Sequence, residues 1–89
     1  MNVTEQSMGL LDGLQWVYLE CREGRKRRFY RIVSYPGLFG PTLIRDWGRI
    51  GSMGRTKTSV FEDEKEQTQA WSQILERREK PGYHCVAAG

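Results

Sequence analysis

Apolar residues fall in short runs at strand spacing, followed by one longer run at helix spacing. Residues 14–21 (LQWVYLEC) and 27–35 (RRFYRIVSY) are rich in aromatic and β-branched side chains, which suit a pleated, half-buried surface. Arg22-Glu23-Gly24-Arg25-Lys26 lies between them, charged and carrying a glycine, so the two runs are expected to pair as a hairpin. The next six residues, Pro36 to Pro41 (PGLFGP), hold two prolines and two glycines and read as a loop. Residues 42–50 (TLIRDWGRI) form a third strand. Alternation puts Leu43, Arg45, Trp47 and Arg49 on one face, and Thr42, Ile44, Asp46, Gly48 and Ile50 on the other. Gly51 to Gly54 turns the chain, and 55–61 (RTKTSVF) is a fourth strand.

After Phe61 the period changes. Asp63 and Glu66 stand at capping-box spacing, and Glu62, Asp63, Glu64 and Glu66 put negative charge where a helix start favours it. Ala70, Trp71, Ile74, Leu75 and Arg78 line one helical face. Arg77, Arg78 and Lys80 occupy the last turn, and Pro81-Gly82 stops the helix. Residues 83–86 read as a short final strand, 1–13 as a flexible lead-in and 87–89 as a tail, leaving a domain over 14–86. The predicted fold class is α+β, a small antiparallel sheet of four to five strands packed on one amphipathic helix. Trp71, Ile74 and Leu75 are its expected plug.

A length of 89 residues suits one small domain. No apolar run approaches the roughly 20 residues a membrane helix needs, and the polar first residues lack a signal-peptide pattern. A cytoplasmic location without membrane contact is expected. Cys21 and Cys85 then read as reduced thiols. With no CxxC and a single histidine, His84, neither a metal nor another cofactor is expected. Nor is there a P-loop, a GxGxxG after a strand or an HExxH. His84 and Cys85 are adjacent, so on a strand their side chains point oppositely. No nucleophile, base and orienting group assemble, and the chain reads as a non-enzyme.

Charge changes the picture more than composition does. Net charge is +3, yet residues 22–57 carry ten bases against two acids, while 1–21 carry three acids and no base. A basic block of this kind points to a polyanionic partner. Arg22, Arg25, Lys26, Arg27 and Arg28 crowd the first hairpin, and Arg45, Arg49, Arg55 and Lys57 surround the glycine-rich turn. Tyr30, Tyr35, Trp47 and Tyr83 are interleaved with them. Arginine on phosphate and a ring on base or sugar form the usual nucleic-acid contact set.

The segment RDWGRIGSMGRT resembles the signature of the WGR domain, named for a triplet that is here Trp47-Gly48-Arg49. The likeness extends to RRFYRI before it, VFED at the helix entry, and AW…IL…R…GY at the helix end, covering roughly residues 14–84. In DNA-damage-dependent poly(ADP-ribose) polymerases such a domain binds DNA at breaks and relays activation to neighbouring domains. The resemblance implies that Trp47 packs on sugar and base near a strand end, that Arg49 and Arg78 hold the terminal phosphate region, and that Tyr83 is DNA-proximal. Arg45, Gly48, Arg55 and Lys80 complete the expected nucleic-acid-binding set, with Gly48 and Gly51 keeping the backbone slim for DNA. Arg78 stands where the family often has lysine, and Arg55 where polymerase members have glutamine. The chain is similar to the short bacterial kind, without a catalytic domain, so ADP-ribosyl transfer is not expected. The implied function is DNA binding at ends or nicks without sequence specificity, nucleoid-associated in the cell, with RNA as the alternative nucleic acid. The competing reading is a module that docks a partner protein in a repair or regulatory complex, through the apolar Leu38-Phe39 patch.

Overall fold

Alternation along the strands and the change of period after Phe61 both translate into structure. The computed structural model describes residues 13–89. Its elements are β1 (Gln15–Cys21), β2 (Arg28–Gly37), β3 (Gly40–Arg49), β4 (Arg55–Val60), α1 (Glu64–Glu79) and β5 (His84–Ala88). The strands form one antiparallel sheet in the order β4-β3-β2-β1-β5, with the helix on one face, an α+β fold as expected. The expected lead-in lies outside the described residues, apart from Gly13.

Two expectations about boundaries are corrected. Pro36 to Pro41 is not a loop: Pro36 pairs with Pro41 and Gly37 with Gly40, leaving only Leu38-Phe39 as the turn. A proline is tolerated there because the pairing of β1 with β2 ends at Ser34, so no neighbour needs a donor from Pro36. Gly40 takes φ 133°, and a Cβ on it would press on the Phe61 carbonyl. The last strand, in turn, does not end at Val86. It runs to Ala88, and Gly89 exchanges two backbone bonds with Trp16, each 3.0 Å, so the expected tail belongs to the sheet.

The core sits between the helix and the middle of the sheet. Val17, Leu19, Tyr30, Ile32 and Leu43 face Ile74 of α1. Ile32 (0% exposed) and Leu43 (1%) are its centre. Of the three expected plug residues only Ile74 is buried, while Trp71 and Leu75 pack half-exposed against the rim. Gln67 is buried as well, on the helical face expected to be apolar. It donates from Nε2 to the carbonyls of Tyr35 (3.1 Å) and Thr42 (2.9 Å) and so pins the helix start to the β2–β3 hairpin.

Both helix ends follow from local sequence. The Asp63 carboxylate accepts the Glu66 N–H at 2.9 Å, satisfying one orphan donor of the first turn. At the other end Gly82 takes φ 97°. Its N–H bonds to the Glu79 carbonyl (3.1 Å), and the Tyr83 N–H bonds to the Arg78 carbonyl (3.2 Å), the paired bonds of a Schellman motif. That motif brings Tyr83 back against Arg78.

The sheet face away from the helix is closed by polar pairs. Arg31 donates to Asp46 at 3.1 and 2.8 Å, and the Thr56 hydroxyl donates to the other oxygen of the same carboxylate at 2.6 Å. The Glu20 carboxylate accepts from Arg22 and from the Tyr18 hydroxyl, both at 2.9 Å, and these two bonds hold its pKa below the usual glutamate value. A lowered folded pKa stabilises the fold above the unfolded pKa and loses that contribution as pH falls through the folded one. The melting-temperature advantage of the parent chain over Glu20→Gln is therefore expected at neutral pH and should fade below about pH 4, near the free carboxylate value. Thermal melts of both proteins from pH 7 to pH 3 check it.

Candidate nucleic-acid interface

Strand register decides which side chains share a face. Tyr30 and Ile32 point to the helix side, where they join the core. Their partners across the β2–β3 ladder are Trp47 and Arg45, and one step further Arg28 pairs with Arg49. On the next ladder Arg45 pairs with Lys57, and Trp47 with Arg55. The helix-side face of β2, β3 and β4 therefore carries Arg28, Arg45, Arg49, Arg55 and Lys57 around one tryptophan, as the alternation of the third strand predicts for Arg45, Trp47 and Arg49.

This grouping is electrostatically unfavourable for the protein alone. Arg28 opposite Arg49, and Arg45 opposite Lys57, set like charges directly across a ladder, which destabilises a sheet. Among the described residues the ion pairs are Arg22–Glu20 and Arg31–Asp46. None of the five cations on the helix-side face is neutralised by either.

Arg78 reaches the same neighbourhood from the end of α1. Its guanidinium carbon stands 4.4 Å from the Tyr30 ring centroid and 5.9 Å from that of Tyr83. Tyr30 stacks on Trp47 (6.0 Å between centroids, 20° between planes) and meets Tyr83 edge-on at 6.2 Å. The chain of contacts runs Trp47, Tyr30, Arg78, Tyr83. Arg78 Nε is buried without a hydrogen-bond partner. The cation is thus positioned by aromatic faces rather than by a carboxylate, which leaves its charge uncompensated.

Trp47 is half-buried, packed on the core and on Tyr30. It is neither a core tryptophan nor a fully exposed one. Arg49 and Arg55 are exposed, and Arg45 and Tyr83 are partly covered. Two members of the expected set stand apart. Gly48 alternates to the opposite face, and a Cβ on it would meet Gly54 Cα at 2.8 Å, so closure of the β3–β4 turn already requires its bareness. Gly51 has open space around it but φ 94°, a conformational requirement. Lys80, the helix C-cap, lines a shallow surface with Gln73, Glu76 and Arg77, two residues and 200° around the helix from Arg78.

The basic run at the first hairpin separates into different jobs. Arg22 is held by Glu20. Arg27 turns back so that Nη1 donates to the carbonyls of Arg22 (3.2 Å), Gly24 (3.1 Å) and Lys26 (2.6 Å), which organises the loop. Arg28 lies opposite Arg49 on the helix-side face. Together the loop residues Glu23 to Arg28, one acid against four bases, border with Gly48 and Arg49 a concavity of about 670 Å³. Arg28 and Tyr30 were absent from the expected set. The RRFYRI alternation carries the signal that could have found them, since it separates Arg28 and Tyr30 from Phe29 and Arg31.

Comparison with known proteins bears on the family and the fold. The chain is 35% identical over 57 residues to the uncharacterized protein y4dW of Sinorhizobium fredii, a match covering 63% of this chain and 28% of that protein. It also resembles a crystal structure of a Bacteroides fragilis protein, with a TM-score of 0.68 at 19% identity, over 81% of this chain and 19% of the other. The chain thus spans less than a third of either, and the second likeness concerns the fold alone. The family model of the WGR domain matches residues 16–89, nearly all of the described chain. The chain belongs to the WGR-domain family.

Proposed function

We propose that this WGR domain binds DNA through the helix-side face of β2, β3 and β4, at ends or nicks and without sequence specificity. One observation carries the reading: five cations and Arg78 surround Trp47 with no acid among their partners, two pairs of them at directly opposed positions that cost the fold stability. Polyanion binding removes that repulsion. Arg28 and Arg49 at the mouth of the concavity suit a phosphate, and Trp47 with Tyr30 behind it suits the exposed ring of a terminal nucleotide. Among the described residues the only helix faces the sheet, so they offer no recognition helix for the major groove. Contacts to phosphate and sugar position a protein without reading sequence.

Each phosphate contact releases counterions. With about four to six contacts the slope of log K against log salt is expected near −4 to −5, at about −0.9 per contact. A salt titration comparing a 5′-phosphorylated nicked duplex with a closed circle tests the proposal. Tighter binding to the nicked duplex at every salt concentration is the expected result. Equal, weak affinity for both would sink end binding.

A second reading keeps one specific observation. Leu38 (92% exposed) and Phe39 (86%) project from the tip of the β2–β3 hairpin, at the end of β3 opposite Trp47. An apolar tip of this kind suits docking of a partner protein in a repair or regulatory complex. Leu38→Ser/Phe39→Ser would then abolish partner capture and leave DNA affinity unchanged.

A further inference from the structure

The two edges of the sheet are not alike. β4 carries Arg55 and Lys57, and charged side chains are a common defence against edge-to-edge pairing. Among the described residues β5 pairs only with β1, and its outer backbone edge has no partner strand. Its sequence, HCVAA, is exposed along its whole length and carries no acid, lysine or arginine. Val86 bulges between Cys85, opposite Leu19, and Ala87, opposite Tyr18. Beside this edge runs a groove of about 640 Å³ between α1 and the β1–β5 ladder. Val17 and Leu19 form its floor and Leu75 its wall, while Glu76 and Glu79 rim it from the exposed flank of the helix. Cys85, on the same face as Leu19, completes it.

We infer that β5 and this groove form a docking site for an extended segment of another protein, with apolar and basic side chains mixed on its helix-side positions, which adds to the sheet as a sixth strand. Backbone groups of the segment pair with the free edge of β5, as in other cases of strand addition. Every second residue of the segment faces the helix side, and these positions supply apolar side chains against Leu19 and Leu75 and lysines or arginines to Glu76 and Glu79. Charge selects this occupant over two others. Residues 1–12 of the chain itself carry Glu5 and Asp12 and no base, so the acidic rim disfavours them. Pairing of β5 with β5 of a second copy, antiparallel about a two-fold axis, would continue the sheet with both helices on one side and set Glu76 and Glu79 toward their own copies. The site does not depend on DNA binding. It meets the interface described above only at Tyr83, which lines the groove and contacts Tyr30 and Arg78.

A random 12-residue peptide library displayed on phage, panned against the folded chain, tests the inference. Enrichment of peptides with apolar residues and lysine or arginine sharing every second position is expected. Their fluorescein-labelled synthetic forms should bind at least tenfold more weakly to the Glu76→Lys/Glu79→Lys double variant. That variant changes only exposed helix positions and, since it adds positive charge, should bind nicked DNA no more weakly than the parent chain. Peptide-induced amide shifts should centre on residues 84–88. Absence of enrichment, enrichment of acidic peptides that DNA displaces, or indifference to the double charge reversal would overturn it. So would a concentration-dependent dimer in sedimentation whose amide shifts map to β5, since the occupant would then be a second copy.

Discussion

Arg49→Glu is expected to bind the nicked duplex about 100-fold or more weakly, the effect of losing roughly 2.7 kcal/mol of charge-assisted contact, while melting no lower than the parent chain. The two halves of this prediction have one cause. Arg49 ends β3 exposed, directly opposite Arg28, and joins no ion pair among the described residues. Glutamate there turns a repelling cross-strand pair into an attracting one, a change of about 0.2–1 kcal/mol toward stability. The same substitution removes one phosphate contact and adds a negative charge facing the ligand, so the salt slope should flatten by about 1. Calorimetric melts and salt-dependent anisotropy on the same sample check both halves. If Arg49→Glu lowered the melting temperature and left affinity unchanged, Arg49 would be a structural residue and the phosphate role would fail. Gaining stability by discarding function is the usual sign of a site kept under strain for its ligand.

Ile32→Ala is expected to remove about 2–5 kcal/mol of stability, the range for deleting a buried branched side chain without full collapse of the cavity. Ile32 is 0% exposed, on the central strand of the sheet, and shares the core with Val17, Leu19, Tyr30, Leu43 and Ile74. A domain of this size holds roughly 5–10 kcal/mol in all, so the variant should lose on the order of 10–30 °C in melting temperature. Trp71 would have been the natural choice from the helical pattern. It packs at the rim, half-exposed, and its truncation should therefore cost less than that of Ile32. Urea unfolding of Ile32→Ala and Trp71→Ala side by side gives the order.

Much of this was legible before any coordinates. Strict alternation in TLIRDWGRI puts Arg45, Trp47 and Arg49 on one face whatever the fold, because a strand has a period of two. The change to helical spacing after Phe61, the Asp63 cap and the Pro81-Gly82 stop are local chemistry and needed no tertiary help. The grouping of Arg28 with Arg49 and of Arg45 with Lys57 was not legible, since register is set by pairing between strands and not within one. The prolines around Leu38-Phe39 misled for a similar reason. Proline forbids a strand only where a neighbour needs its N–H, and only the sheet order says that none does.

The tryptophan of the WGR triplet shows where the division falls. The chain's own chemistry determined that it would stand beside Arg45 and Arg49 on a basic strand in a small α+β domain of this family. Whether it was core or surface depended on what covered it, and that is a property of packing. Tyr30 from β2 takes one of its faces, and α1 ends at Glu79, with Arg78 of its last turn and Tyr83 just beyond it set against Tyr30. The ring is thus held by the fold and only partly covered, because its burial depends on the side chains that strand register and core packing bring against it rather than on its own strand.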